Sequence, residues 1–123
     1  MLPTDAELDI LAVLWRLGPS TVRTVHQALG KKSGYTTTLK QMQVMAEKGL
    51  LVRDERARSH IYQARAPKEQ TRQQVAGDLL RRCFDGSAKD LLMGALSAQP
   101  ASDAELAEIG GILKDFKRKR SSS

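Results

Sequence analysis

The chain has 123 residues, enough for one well-buried core, or for two small ones that pack together or self-associate. Its 20 lysines and arginines against 14 acidic residues give a formal charge of +6, and residues 1 to 66 alone hold 10 basic and 6 acidic side chains; such a balance suits a polyanion partner. A single cysteine, Cys83, excludes an intrachain disulfide and a cysteine-held zinc, and no apolar run approaches membrane-spanning length.

The start, Met1-Leu2-Pro3-Thr4-Asp5, lacks the basic n-region of a signal peptide, so a cytoplasmic chain without membrane insertion is expected. Thr4-Asp5-Ala6-Glu7 is a capping-box pattern and predicts a first helix from Thr4. Leu8, Leu11, Ala12 and Trp15 form a stripe that Ile10, Leu14 and Leu17 widen, so this helix is expected to be buried on most sides, with Trp15 a core residue. Gly18-Pro19 ends it. Ser20 or Thr21 caps a second short helix carrying Val22, Val25, Ala28 and Leu29, which Gly30 stops. Lys31-Lys32-Ser33-Gly34 reads as a polar turn.

A third helix is predicted from about Thr36 to Lys48-Gly49, with Leu39, Met42, Met45 and Ala46 facing the core and Thr37, Lys40, Gln41 and Val44 opposite. Leu50 to Arg53 and Ile61 to Ala64 read as two strands joined by a charged tip, Asp54 to Ser59. Helices, stop and hairpin in that order predict a winged helix-turn-helix, with helix three in a DNA major groove and the hairpin as a basic wing. Thr36, Thr37, Lys40 and Gln41 are the candidate readers of base edges or phosphate, and Arg53, Arg56 and Arg58 the candidate phosphate anchors. The alternative for Arg58 is a pairing with Glu55 across the hairpin. Tyr35 precedes helix three, where it leans on the DNA backbone or staples the helix start. His26 and His60 lack ligand-spaced companions and are read as polar surface histidines, and either Ile61 or Tyr62 faces the core.

Arg65-Ala66-Pro67-Lys68 is the natural boundary between a winged-helix domain, 1–66, and a helical domain, 67–123. A long helix is predicted from Lys68 to about Phe84, with Val75, Ala76, Leu79, Leu80 and Cys83 on one face. Asp85-Gly86-Ser87 breaks it. A second helix carries Leu91, Leu92, Ala95 and Leu96 and stops at Gln99-Pro100. The last, capped by Ser102 or Asp103, carries Leu106, Ile109, Ile112, Leu113 and Phe116, and Arg120 to Ser123 is expected to fray. Three striped helices in under sixty residues have little core of their own, so a homodimer is expected, with Val75, Leu79, Leu80, Leu91, Leu92, Leu96, Leu106, Ile109, Ile112, Leu113 and Phe116 as its contacts. The fold class is therefore mainly α with a small β-hairpin wing and a C-terminal three-helix dimerisation domain.

Ala6-Glu7 through Ile10-Leu11 to Leu14-Trp15, Thr21-Val22-Arg23-Thr24-Val25 with Ala28-Leu29, Gly34-Tyr35-Thr36-Thr37, and Glu47-Lys48-Gly49-Leu50-Leu51 occur in order, with Arg53 and Tyr62 in the wing strands. This set resembles the penicillinase-repressor (BlaI/MecI) family over nearly the whole length. The resemblance implies a dimeric transcriptional repressor that blocks promoters of resistance or stress genes at an inverted repeat. It also implies release when a membrane-bound sensor protease triggers cleavage, or, in copper-responsive relatives, when metal binds a cysteine-rich tail. The chain departs from the pattern in three ways. It has no cysteine cluster. The family's cleavable Asn-Phe position falls near Gly94-Ala95, and Gln43-Val44 stand where relatives often carry two basic residues.

The expected partners are double-stranded DNA, a second copy and the sensor protease, with no cofactor and no metal. With two histidines and one cysteine there is no Ser-His-acid, Cys-His or metal constellation, so no enzyme is expected. The alternative is a winged-helix module that binds protein and has no specific DNA target; the fold itself does not fix the sign of regulation.

Overall fold

A computed structural model describes residues 2–30 and 34–122. Its order is α1 (Asp5–Leu17), α2 (Val22–Leu29), α3 (Tyr35–Lys48), β1 (Leu51–Asp54), β2 (Ile61–Ala64), α4 (Lys68–Cys83), α5 (Ala88–Ala98) and α6 (Asp103–Ser122). The described chain is thus mainly helical with one antiparallel hairpin, the winged helix-turn-helix arrangement. The polar turn predicted at 31–34 lies largely outside the described residues, as does Ser123.

Helices α1 and α2 begin where a side chain takes up a free backbone N–H. Thr4 Oγ1 accepts from the Glu7 amide at 3.2 Å, while the Thr4 amide donates to Glu7 Oε1 at 2.9 Å, closing the capping box of α1. Thr21 Oγ1 does the same for Thr24 at the head of α2. Helix α3 begins one residue earlier than the threonines suggested. Tyr35 is its first residue, and Gly34 caps it without a side-chain bond. Gly49 ends α3 in the left-handed region at φ 85°, which a side chain would strain, and the chain turns directly into β1.

Strands β1 and β2 pair with Leu51 opposite Ala64 and Asp54 opposite Ile61, so β1 begins one residue later than expected. Ser20, between α1 and α2, adds a short bridge to the hairpin. Its amide donates to the Tyr62 carbonyl at 2.9 Å and its carbonyl accepts from the Tyr62 amide at 2.8 Å. The core gathers Ile10, Leu11, Val13 and Leu14 of α1, Val22 and Val25 of α2, Met42 and Met45 of α3, and Leu51 and Tyr62 of the hairpin. Tyr62 is therefore the strand residue that faces inward. Trp15 is half-buried against this core and donates Nε1–H to the Ala66 carbonyl at 3.0 Å, tying α1 to the segment before α4.

Two expectations for α1 fail. Ala12 is exposed and Leu17, the last residue of the helix, is 48% exposed. Val13 is buried in their place, because the inward face follows Ile10, Leu14 and Glu7 at helical spacing. The exposed side of the helix is the stripe of Asp5, Asp9, Ala12 and Arg16, and the rest of its circumference is largely covered.

The chain divides into two compact units, residues 1–77 and 78–123, and the division falls inside α4. The second unit contains the end of α4, then α5 and α6. Asp85 (φ 51°) and Gly86 (φ 80°) turn the chain between α4 and α5, and Ser87 Oγ accepts from the Asp90 amide to cap α5. No described side chain of α5 or α6 is fully buried. The expected fraying from Arg120 is not seen: α6 continues to Ser122, where Lys119 and Arg120 suit the negative end of the helix and Ser121 Oγ donates to the Lys117 carbonyl.

Candidate nucleic-acid interface

Helix α3 is a two-faced rod. Thr38, Met42 and Met45 are fully buried. On the other side Thr36, Thr37, Lys40 and Val44 are exposed and Gln41 is half-buried. These five, with Thr4 and Glu7 of the α1 start, line an open groove of about 400 Å³. Four of the candidate site residues thus share one surface.

The rod is clamped at both ends by α1 and α2. At its start, Thr38 Oγ1 shares a 3.1 Å hydrogen bond with His26 Nδ1 of α2. The His26 ring meets the Tyr35 ring edge-on at 5.9 Å, and the Arg23 guanidinium lies 5.1 Å from the centre of the same tyrosine. His26 is therefore a half-buried linker between two helices and not the plain surface histidine expected from its sequence neighbours. At the other end Lys48 Nζ donates to Glu7 Oε2 at 2.7 Å. Burial pushes the Glu7 carboxyl up, but the hydrogen bonds from Lys48 and from the Thr4 backbone outweigh it. The net shift is downward from 4.5.

The three wing arginines have different surroundings. Arg56 closes a fork on Asp54, with Nε to Oδ1 at 3.0 Å and Nη2 to Oδ2 at 2.7 Å, and the Arg56 amide also donates to Oδ1 at 3.0 Å. Those side-chain and backbone hydrogen bonds hold Asp54 at a pKa of about 2. Arg53 pairs with Glu55 at 2.9 Å and stands across the hairpin from Tyr62. The Tyr62 side chain is the main cause that raises the Arg53 pKa; burial opposes it, and the nearby Glu55 adds to the rise. The pairing considered between Arg58 and Glu55 is thus replaced by Arg53 with Glu55.

Arg58 has no ion pair among the described residues. With Ser59 and His60 it forms one wall of a cleft of about 400 Å³ whose other wall is Thr21, Arg23, Tyr35 and Gln43. Two arginines and a histidine thus converge between the head of α2, the side of α3 and the wing. Arg23 and His60 were not among the sequence candidates. The one usable signal was Arg23 itself: a cation in a helix's first turn opposes the helix dipole and needs a reason to be there.

In the second unit the expected contact residues are half-buried or exposed. Leu79 is 42%, Leu106 45%, Leu113 55% and Phe116 66% exposed, and Leu80, Leu91, Leu92, Leu96 and Ile109 are half-buried. Val75, also half-buried, lies on the first-unit side of the division within α4. Gly94 and Ala95 sit mid-way along α5, and a Cβ at Gly94 would come within 3.2 Å of the Phe84 ring. No group of three histidine, cysteine or acidic side chains able to hold a metal occurs among the described residues. No helix there is long and apolar enough to cross a membrane.

The sequence profile of a family described as penicillinase repressor matches residues 3–115. A penicillinase repressor from Bacillus licheniformis is 22% identical over 119 residues, which cover 95% of this chain and 93% of that protein. Among solved structures, a MarR family protein from Bacillus stearothermophilus matches with a TM-score of 0.52 at 18% identity, covering 97% of this chain and 76% of that one. At that identity the likeness speaks to the fold, and it agrees with the winged helix.

Proposed function

The chain belongs to the penicillinase repressor family, a family of transcriptional repressors and not of enzymes, and from that premise we propose that it is a dimeric repressor that occludes a promoter at an inverted-repeat operator. The observation that carries the reading is the two-faced α3. One side is locked into the core by Thr38, Met42 and Met45, and the other offers Thr36, Thr37, Lys40 and Gln41. Threonine, lysine and glutamine donate to base-edge acceptors and to phosphate, and exposed Val44 suits a thymine methyl. The wing contributes charge chiefly through Arg58, because Arg56 and Arg53 are already paired with Asp54 and Glu55.

Self-association through α4 to α6 fits the apolar stripe left open on α6, where Leu106, Leu113 and Phe116 are each close to half exposed or more. Covering such side chains with a second copy contributes about 25 cal/mol per Å². A two-fold pair then sets two α3 helices about one DNA turn apart. The regulated genes belong, on this reading, to antibiotic resistance or stress responses, as the family suggests. Release by a membrane-bound sensor protease at Gly94–Ala95 would first require α5 to unwind, since proteases bind extended backbone.

The test is titration of purified protein against duplexes containing candidate inverted repeats, in parallel with scrambled duplexes, over a salt series. A sequence-dependent complex that weakens steeply with salt is expected. A complex that ignores DNA sequence and salt would instead favour a protein-binding module.

A further inference from the structure

We propose that Arg23, Arg58 and His60 clamp a single phosphate of the DNA backbone in the cleft between the head of α2 and the wing. The inference rests on the DNA-binding reading above and extends it to a surface beside the reading face of α3. Arg23 stands on the helical wall of this space of about 400 Å³, and Arg58 and His60 stand on the wing wall. No carboxylate is among the described residues that line it.

The cleft lies where a DNA strand would pass. Tyr35, Leu39 and Gln43 line it and follow one another by four residues, so they form one ridge along α3. Thr36, Lys40 and Val44, each one position further on, form a ridge of the reading face about 100° around the helix. The cleft therefore flanks the reading face and is not part of it. A helix seated in a major groove has a sugar-phosphate strand along each flank. A phosphate can thus enter the cleft while Thr36 and Lys40 face base edges.

The fold alone gives these cations no counter-charge. Arg53 and Arg56 are paired, but Arg23 and Arg58 have no ion pair among the described residues. Arg23 sits in the first turn of α2, against the helix dipole, with its guanidinium 5.1 Å from the centre of the Tyr35 ring. Stacking on an aromatic face leaves the edge donors of a guanidinium free, and that fork fits phosphate oxygens. All three side chains are exposed, so a ligand reaches them without rearrangement of the core.

His60 adds a proton-linked contact. It shares the cleft with Arg23, Arg58, Tyr35 and Tyr62. Neighbouring cations disfavour an imidazolium and a phosphate favours it, so docking draws a proton onto the ring. Binding through this cleft strengthens as pH falls.

The experiment measures affinity of the full chain for a random-sequence duplex over a salt series and between about pH 6 and 8, roughly the histidine range. The variants are Arg23→Gln, Arg58→Gln, the two combined, and His60→Gln. Each single arginine variant should bind about five- to tenfold more weakly, and the combined one no more than about twofold worse than the weaker single, because both side chains hold one phosphate. The combined variant should flatten the plot of log affinity against log salt by about 0.9 per protomer, the value for one phosphate. The parent should tighten toward acid, and His60→Gln should lose most of that gain. Arginine losses that multiply, with a slope change of about two, would overturn the clamp in favour of separate contacts. If Arg58→Gln weakens binding while Arg23→Gln and His60→Gln match the parent, the clamp is wrong and the wing reading stands. If the parent chain binds no duplex in dilute salt, the DNA reading itself fails. Displacement of the duplex by millimolar inorganic phosphate at constant ionic strength would overturn the proposal and assign the cleft to a free phosphate compound.

Discussion

Glu7 and Lys48 stand 41 positions apart in sequence and meet at 2.7 Å, joining the first turn of α1 to the last turn of α3. The Glu7 side chain is 9% exposed and that of Lys48 34%, so the pair is partly shielded from water. The same carboxylate also completes the capping box through its other oxygen. One side chain thus starts α1 and anchors the far end of α3.

Removing it should cost both roles. Glu7→Ala is expected to lower stability by about 1 to 2 kcal/mol, the sum of a lost cap and a lost charge-assisted bond. Because the folded Glu7 pKa lies below 4.5, its contribution is present above the unfolded value and is lost as pH falls through the folded one. Urea unfolding across pH 3 to 6 (roughly the carboxylate range) should show the parent losing stability toward acid. Glu7→Gln should show a shallower loss; equal slopes would mean that the pair contributes nothing.

Arg58→Ala should weaken duplex binding more than Arg56→Ala. Among the described residues Arg58 has no ion pair and stands beside the α3 cleft, whereas Arg56 must release Asp54 before it can serve a phosphate. The expected losses are roughly five- to tenfold for Arg58 and under threefold for Arg56, at low salt and for every duplex sequence. Fluorescence anisotropy titrations would decide, and an inverted order would mean that the Asp54 pair opens on binding.

Gln41→Ala is expected to change which operator is preferred while altering random-duplex affinity little, since a base contact carries about 1 to 3 kcal/mol of discrimination. Competition between operator variants and the parent site measures this. A uniform drop across all sequences would make Gln41 a phosphate contact.

His26→Ala should loosen the start of α3 without touching DNA. It leaves the fully buried Thr38 hydroxyl without its partner at 3.1 Å and Tyr35 without its ring neighbour. About 1 kcal/mol of stability should go, visible as a lower denaturation midpoint, with weaker binding at Thr36 and Thr37 as the downstream effect.

Leu113→Asp with Phe116→Asp should abolish self-association if the α6 stripe is the contact, because both side chains are more than half exposed in one copy. Sedimentation equilibrium would read the mass, and a dimer that survives would move the interface to another face.

Much of this architecture was legible in advance because its signals are local. Thr4 and Glu7 announced α1, Lys48-Gly49 announced the end of α3, and the apolar spacing of Met42 and Met45 gave its inner face. The placement of Arg23 beside Tyr35 was not legible, because it depends on how α2 packs against α3. Charge pairing on the wing was equally hidden: Asp54, Glu55, Arg53 and Arg56 are so close in sequence that several pairings are open, and strand register selects among them. Exposure at Leu17 failed for a related reason, since helical period gives a direction but not how far the core extends along the axis.

The bridge between Ser20 and Tyr62 carries one further consequence. It stitches the connection between the first two helices to the hairpin through two backbone bonds, at 2.9 and 2.8 Å, so the wing cannot swing freely of the helix pair. The reader is thereby preorganised before it meets a duplex. Docking then forfeits little backbone entropy, and more of the contact energy survives as affinity.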